Sequence, residues 1–114
     1  MKFPDPHQTA LLLATVFAAV GQLFFKKGAT ALAHWSQYLN SSILTGLVFY
    51  AAGTVLWVFS LSRIPLRQAY PFTALTFVLV YFGAALFLKE AISFRGVAGT
   101  AVVLLGLGII VLEN

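Results

Sequence analysis

The stretch SILTGLVFYAAGTVLWVFSL, residues 42–61, contains no charged side chain. A helix of roughly 20 apolar residues spans the hydrocarbon core of a bilayer, and only such structure leaves no backbone group unpaired in lipid. Three further apolar runs of similar length flank it, at residues 9–25, 68–88 and 94–112. The sequence therefore predicts an all-α integral membrane bundle of four helices, with residues 1–114 forming a single domain.

The composition of the 114-residue chain agrees with a membrane protein and excludes several kinds of site. Hydrophobic residues make up 61% and charged residues 9%, whereas soluble domains contain about 25% charged residues. Cysteine is absent, which excludes disulfides and thiolate metal sites. No nucleophile–base, metal-binding or phosphate-cradling motif occurs, so we expect neither an enzyme nor a metal or cofactor. The net charge of +4 is scattered at the ends of the apolar runs, which favours membrane lipids over nucleic acid as the partner.

Basic residues are divided almost evenly between the two membrane sides that this arrangement implies. Three lie on the side of the N-terminus and four on the other side: Lys2, Arg63 and Arg67 against Lys26, Lys27, Lys89 and Arg95. Because Lys and Arg normally accumulate on the cytoplasmic side, this difference gives almost no orientation signal. Either another cue sets the orientation, or the chain inserts both ways or pairs with an inverted partner.

The connections between the apolar runs are short after the second run. Residues 62–67 and 89–93 are the two later loops, and short loops predict that helices two, three and four are antiparallel neighbours. Pro71 falls in the predicted first turn of helix three, where proline is tolerated, so no kink is expected.

The fourth helix carries a stripe of small residues. Gly99 and Gly106 are seven residues apart with Val103 between them, so all three share one face. Small residues let helices approach closely in lipid, where packing drives association. The stripe packs either on another helix of the same chain or on a second subunit. Because four helices alone make a thin bundle, we expect a dimer interface.

Polar groups are rare inside the predicted spans. None of the three acids, Asp5, Glu90 and Glu113, lies in the middle of a helix, although proton-coupled exporters of cationic drugs need an embedded carboxylate. Gln22, one turn before Lys26, is the deepest strongly polar side chain. It either binds a substrate headgroup or forms an interhelical hydrogen bond.

Two residues at the start of helix three are further candidates for substrate binding. Arg67 directly precedes the sequence Gln68-Ala69-Tyr70-Pro71, where its guanidinium group either holds a phosphate through two hydrogen bonds or anchors the helix at the interface. Tyr70 suits either an aromatic belt or stacking on a sugar. The same ambiguity between anchoring and phosphate binding applies to Lys26.

Several short motifs occur together in this order and spacing. They are Val20-Gly21-Gln22, Lys26-Lys27-Gly28-Ala29-Thr30, Ile64-Pro65, Ala69-Tyr70-Pro71 and Leu88-Lys89-Glu90-Ala91-Ile92-Ser93. The chain resembles the small four-helix members of the drug/metabolite transporter superfamily over nearly its whole length. Within that superfamily it is most similar to the EamA-like subunits of the undecaprenyl-phosphate aminoarabinose flippase, of the ArnE and ArnF type, and more distantly to small multidrug resistance proteins.

The resemblance implies a dimer, antiparallel in the multidrug relatives, with a substrate chamber between the protomers. The stripe from Gly99 to Gly106 resembles the dimerisation motif of those relatives. They also carry a membrane-embedded Glu in helix one where this chain has Ala18, which argues against proton-coupled export of cationic drugs. The flippase subunits carry a Gln and a Lys in helix one and a Glu after helix three. The matching positions in this chain are Gln22, Lys26 and Glu90.

We therefore expect a flippase of the bacterial inner membrane that serves modification of lipid A or a cell-envelope glycan. It would move an undecaprenyl-phosphate-linked sugar, such as aminoarabinose, through a chamber lined by Gln22, Tyr70 and Thr73, as a homodimer or with a similar small subunit. Neither an ATP site nor a coupling acid is present, so a substrate gradient would drive transport. Two alternatives stay open: an exporter of organic cations, and a non-transporting scaffold for a glycosyltransferase.

Overall fold

Four helical spans make up the protein, as the sequence predicts. The computed structural model describes residues 5–30 and 32–112, so Lys2 and Glu113 lie outside the described residues. The α-helices are α1 (Pro6–Ala29), α2 (Ser41–Leu61), α3 (Leu66–Ala69), α4 (Thr73–Phe87) and α5 (Phe94–Val111). Short 3₁₀ helices occupy Trp35–Leu39 and Tyr70–Phe72. Each span, counting Leu66–Phe87 as one, is long and apolar enough to cross a membrane.

Helix α1 extends beyond the predicted 9–25 at both ends. At its start, Asp5 caps the helix by accepting a hydrogen bond from the Gln8 amide at 2.9 Å, and the Gln8 side chain accepts one from the Asp5 amide at 3.2 Å. This reciprocal capping box, with Pro6 in the first turn, sets an early start. At the other end the helix continues through Lys26 and Lys27, because lysine favours helices and its long stem reaches the headgroups.

The third span is interrupted near its start rather than continuous over 68–88. The short helix α3 begins at Leu66, and a 3₁₀ turn over Tyr70–Phe72 separates it from α4. Pro71 lies in that turn and has no amide hydrogen to donate, so the α-helical hydrogen-bond pattern cannot run through it unbroken. The break lies at the membrane end that also holds Arg63 and Arg67.

Helix α1 lies between α2 and α4, so α2 and α4 are not the neighbours that the short loop predicts. On one side, a methyl group added at Gly21 would lie 2.9 Å from the Gly46 carbonyl oxygen of α2. On the other side, the Thr76 hydroxyl of α4 donates to the Thr15 carbonyl at 3.2 Å. The second span instead meets the third at its end, where the Trp57 and Tyr70 ring centroids are 6.5 Å apart. Local loop length does not determine which helix faces are complementary.

Helix α5 contacts the remaining helices much less. Thr100 is its one buried residue among those described, and a methyl group added at Gly99, Gly106 or Gly108 would have no other atom within 4 Å. Its close contact with α4 is at Gly96, where an added methyl group would overlap the Tyr81 hydroxyl. Gly99 and Gly106 therefore make no close contact with the other helices of the described chain.

Substitution of Gly21 by alanine should destabilise the protein by about 1–3 kcal/mol, because the new methyl group would meet the backbone of α2 and force the two helices apart. Gly108→Ala provides a matched control, since its methyl group meets open space. This control should be neutral or stabilising by up to about 1 kcal/mol through helix propensity. Reversible unfolding of both variants in mixed detergent micelles would measure the difference. Equal stabilities would show that α1 and α2 are not closely packed at Gly21.

Candidate substrate-binding surfaces

Gln22 lies on the exposed face of α1 between the contacts that this helix makes with α2 and α4, a space that we call the α1 cleft. The preceding Gly21 contacts α2 and the following Leu23 contacts Gly83 of α4. Successive helical residues are about 100° apart, so Gln22 points into the gap between these two contact faces. Its side chain is exposed there, and Lys26 is exposed one turn further along the same face. We call Ala18, Gln22 and Lys26 the α1 stripe.

The amide group of Gln22 has no hydrogen-bond partner among residues 5–30 and 32–112, which distinguishes it from other polar groups in the spans. Hydroxyl groups there bond to backbone carbonyls, as Thr54 does with Tyr50 at 2.9 Å and Thr100 with Gly96 at 2.8 Å. The interhelical hydrogen bond considered for Gln22 is therefore not formed with any of the described residues. Its amide is available to substrate, water or another subunit.

A second surface lies between the third span and α5. It is an open groove of about 510 Å³ that we call the α5 groove. Its lining residues are Tyr70, Pro71, Thr73, Ala74, Phe77, Val103, Gly106, Leu107 and Ile110. The Thr73 hydroxyl donates to the Tyr70 carbonyl at 2.8 Å, so the interior offers little free polar capacity. Tyr70 and Thr73, which the sequence predicts to bind substrate, thus line the same groove as two residues of the predicted dimer interface, Val103 and Gly106.

Helix geometry separates the two surfaces. Thr76 bonds to Thr15, and Gln22 is seven residues further along α1 while Thr73 is three residues back along α4. At about 1.5 Å per residue, Gln22 and Thr73 differ in depth by roughly 15 Å. One protomer therefore does not bring Gln22 together with Tyr70 and Thr73.

The charged candidates lie at opposite membrane ends. Helices α1 and α4 run in the same direction, because Thr76 meets Thr15 and Gly83 meets Leu23. Glu90 follows the end of α4, so it lies at the Lys26 end, while Arg67 lies at the other end. The preceding Lys89 has a left-handed backbone with φ of 57°, and the Glu90 amide donates to the Ala84 carbonyl at 3.2 Å.

Sequence reasoning missed several residues that line the α5 groove. Ala74 and Phe77 follow Tyr70 at spacings of four and seven residues, and Leu107 and Ile110 follow Val103 in the same way. This spacing places each set on one face of a helix. The signal was present in the sequence, but nothing local shows that the two faces meet.

Comparison with known proteins identifies the family. The model of the EamA-like transporter family matches residues 6–112. The chain belongs to this family. No solved structure matches the chain.

The similar curated proteins are flippase subunits. The probable 4-amino-4-deoxy-L-arabinose-phosphoundecaprenol flippase subunit ArnE of Aeromonas salmonicida is 29% identical over 84% of this chain and 89% of its own length. The ArnE subunit of Hamiltonella defensa is 31% identical over 89% and 92%. The ArnF subunit of Photorhabdus laumondii is 30% identical over 87% and 91%. The resemblance inferred from the sequence motifs is confirmed.

Family membership and the four spans define the general role of this EamA-like protein. It is a multi-pass protein of the bacterial inner membrane and a transporter rather than an enzyme.

A single cysteine placed at Gln22 should react with a charged maleimide at least roughly tenfold faster than one placed at Val20. The thiolate is the reactive form and needs a hydrated environment. Val20 is two residues away at nearly the same depth, but on almost the opposite side of α1. Because the chain has no native cysteine, each variant carries one thiol. Similar rates in proteoliposomes would show that the cleft at the α1 stripe is not hydrated.

Proposed function

We propose that this EamA-like protein is a subunit of a flippase that moves an undecaprenyl-phosphate-linked sugar from the cytoplasmic to the periplasmic leaflet. The relatives named for a 4-amino-4-deoxy-L-arabinose lipid suggest aminoarabinose as the sugar. The observation that carries the proposal is the exposed amide of Gln22, which has no partner among the described residues of its own protomer. A polar group within a membrane-spanning helix that is not used for packing marks a candidate substrate path.

The α1 stripe has groups that suit such a headgroup. The Gln22 amide both donates and accepts hydrogen bonds, as sugar hydroxyls require. Lys26 supplies a positive charge for the phosphodiester one turn away. Glu90, at the same membrane end, supplies a negative charge for the amino group of the sugar. The polyprenyl chain stays in the lipid, so only the headgroup passes the cleft.

The energy source follows from the acids of the chain. Asp5 caps α1 and Glu90 lies beyond α4, while Ala18 occupies the α1 stripe where multidrug relatives carry Glu. No carboxylate is therefore placed within the described spans to exchange a proton for substrate. Transport is driven by the gradient of the lipid-linked sugar. The same observation disfavours export of organic cations.

The functional unit is a dimer, either with a second copy or with a similar small subunit. Gly99 and Gly106 leave open space beside α5, and Val103 lies between them near the middle of the helix. Such a stripe lets two helix backbones approach closely in lipid. A second subunit also completes the cleft at each α1 stripe.

Gln22→Ala should slow flipping of a fluorescent undecaprenyl-phosphate sugar in proteoliposomes by about 2- to 10-fold. A hydrogen bond between the neutral amide and a sugar hydroxyl contributes about 0.5–1.5 kcal/mol, and each 1.4 kcal/mol is a factor of ten. Thr54→Ala is the control, because its hydroxyl already bonds to the Tyr50 carbonyl and should leave the rate unchanged. A dithionite quenching assay would report the leaflet of the probe.

Three outcomes of the same assay would contradict the proposal. Equal rates for both variants would remove Gln22 from the substrate path. Flipping that requires a proton gradient would disprove the proposed energy source. If neither this chain alone nor its mixture with an ArnE-type or ArnF-type partner flips the probe, the scaffold alternative would be favoured.

Disulfide crosslinking should reveal both the α5 interface and its direction. Val103 lies near the centre of Phe94–Val111, so Val103→Cys should crosslink two copies in either direction. Gly99 and Gly106 are about 10 Å apart along the axis, while a disulfide needs Cα atoms about 4.4–6.8 Å apart. Gly99→Cys should therefore pair with itself in a parallel dimer and with Gly106→Cys in an antiparallel one. Efficient crosslinking only with a mixed partner subunit would establish a heterodimer.

A further inference from the structure

The connection between α1 and α2 presents two aromatic rings that the described helices leave uncovered. Trp35 is 86% exposed and Tyr38 is 49% exposed. Both belong to the 3₁₀ helix Trp35–Leu39, which has three residues per turn, so the two rings lie on one side of it. Their centroids are 5.6 Å apart. Trp35 and Tyr38 therefore form one outward-facing surface, which we call the aromatic pair.

Hydrogen bonds attach this segment to both adjoining helices. The Asn40 side-chain amide donates to the Gly28 carbonyl of α1 at 3.1 Å and to the Gln37 carbonyl at 3.0 Å. The oxygen of the same side chain accepts from the Ile43 amide of α2 at 3.0 Å. At the start of the segment, the Gln37 side chain accepts from the His34 amide at 3.2 Å. The aromatic pair is therefore held in a defined position where α1 ends and α2 begins.

The position of the segment in the membrane follows from its connections and its polarity. It joins a span that ends at Ala29 to one that begins at Ser41, so both of its ends lie at the same membrane surface. A single 3₁₀ turn satisfies few of its own backbone groups, and unsatisfied groups are not tolerated in the hydrocarbon core. Lys26 and Lys27 are exposed at the end of α1, and such lysines reach the level of the lipid phosphates. Tryptophan and tyrosine favour that same headgroup region over both water and hydrocarbon.

We infer that the aromatic pair docks into the phospholipid headgroup region at the Lys26 end of the bundle and that Asn40 holds it there. The occupant is bulk lipid, because the rings are carried between two spans, beside two lysines, on a segment too polar for the hydrocarbon core. The inference goes beyond the proposed function and does not depend on it. Such an anchor sets the depth of the end of α1 in the bilayer, and with it the depth of Gln22.

The test is tryptophan fluorescence of the full chain in proteoliposomes of phosphatidylglycerol and phosphatidylcholine. The chain has two tryptophans, so Trp57→Phe leaves Trp35 as the single reporter. Phosphatidylcholine brominated near the top of its acyl chains should quench Trp35 at least about twice as strongly as lipid brominated near the chain ends, because interfacial rings lie at the headgroup level. Acrylamide in the water should quench Trp35 at least about threefold less than it quenches free tryptophan amide, because the headgroups shield the ring. Trp35→Phe is the matched control: its remaining Trp57 is half-buried against Tyr70, so the top-brominated lipid should quench it less than it quenches Trp35.

The role of Asn40 is tested by Asn40→Asp in the protein that keeps only Trp35. Aspartate retains the oxygen that caps α2 but lacks the amide hydrogens that bond to Gly28 and Gln37. The spans should therefore stay folded while the segment loosens, and acrylamide quenching of Trp35 should rise about twofold through the loss of these two hydrogen bonds. Ser41→Asp is the control, because it adds the same charge one residue later and leaves those bonds in place.

Each contrary result would overturn a stated part of the inference. Acrylamide quenching of Trp35 equal to that of the free amide would place the aromatic pair in water. Stronger quenching by the lipid brominated near the chain ends would place it in the hydrocarbon core, and protection from acrylamide and both lipids would show that protein, such as a second subunit, covers it. Unchanged quenching in Asn40→Asp would overturn the role of Asn40. None of these measurements requires flipping, so they decide the inference even if the proposed function fails.

Discussion

Backbone hydrogen bonding in lipid is the constraint on which the structure depends. Helices satisfy their own amide and carbonyl groups, and the hydroxyls of Thr54 and Thr100 bond to carbonyls of the same helix. Few polar groups are then left to join one helix to another, and apolar side chains gain little from burial because lipid is equally apolar. Close backbone approach supplies the attraction instead. Gly21 and Gly46 allow it between α1 and α2, where either would clash as alanine.

The packing is correspondingly unequal across the bundle. In the apolar window of α1, 33% of residues are buried, against 6% in that of α5. The body of the protomer is α1 with α2 and α4, and α5 joins it near Gly96 and Thr100. A helix that is apolar on all sides and contacts its own chain so little is stabilised by lipid or by a second subunit. The low burial of α5 relative to α1 is what we expect of a protein that works as one part of a small assembly.

The four spans and their family could be predicted because hydropathy and short motifs are local properties. The ends of α1 were harder to predict. The capping box at Asp5 depends on side-chain hydrogen bonds, and the continuation through Lys27 depends on the length of the lysine side chains. The interruption at Pro71 depends on where the helix begins, and the real start at Leu66 moves the proline out of the first turn. For the site, Gln22 could be recognised by its polarity alone. The cleft beside Gln22 could not be predicted, because the position of α1 between α2 and α4 arises from complementary helix faces that are distant in sequence.

If the protein flips a lipid phosphate as proposed, the energetics of moving that charge favour two protomers over one. A lone charge at the bilayer centre costs at least about 2.5–3.5 kcal/mol, and more where water cannot follow it. One hydrogen bond to a charged group returns about 1.5–3 kcal/mol, and the midspan part of the α1 stripe offers only the amide of Gln22, since Lys26 lies near the end. The hydrogen-bonding energy that one stripe offers is therefore smaller than the cost of the charge or at best about equal to it. In the proposed dimer, two stripes that face each other would double the number of donors and enclose water around the headgroup, which would lower the barrier further. The sparse polarity of the α1 stripe and the loose packing of α5 are therefore two independent arguments for the second subunit that the proposed function includes.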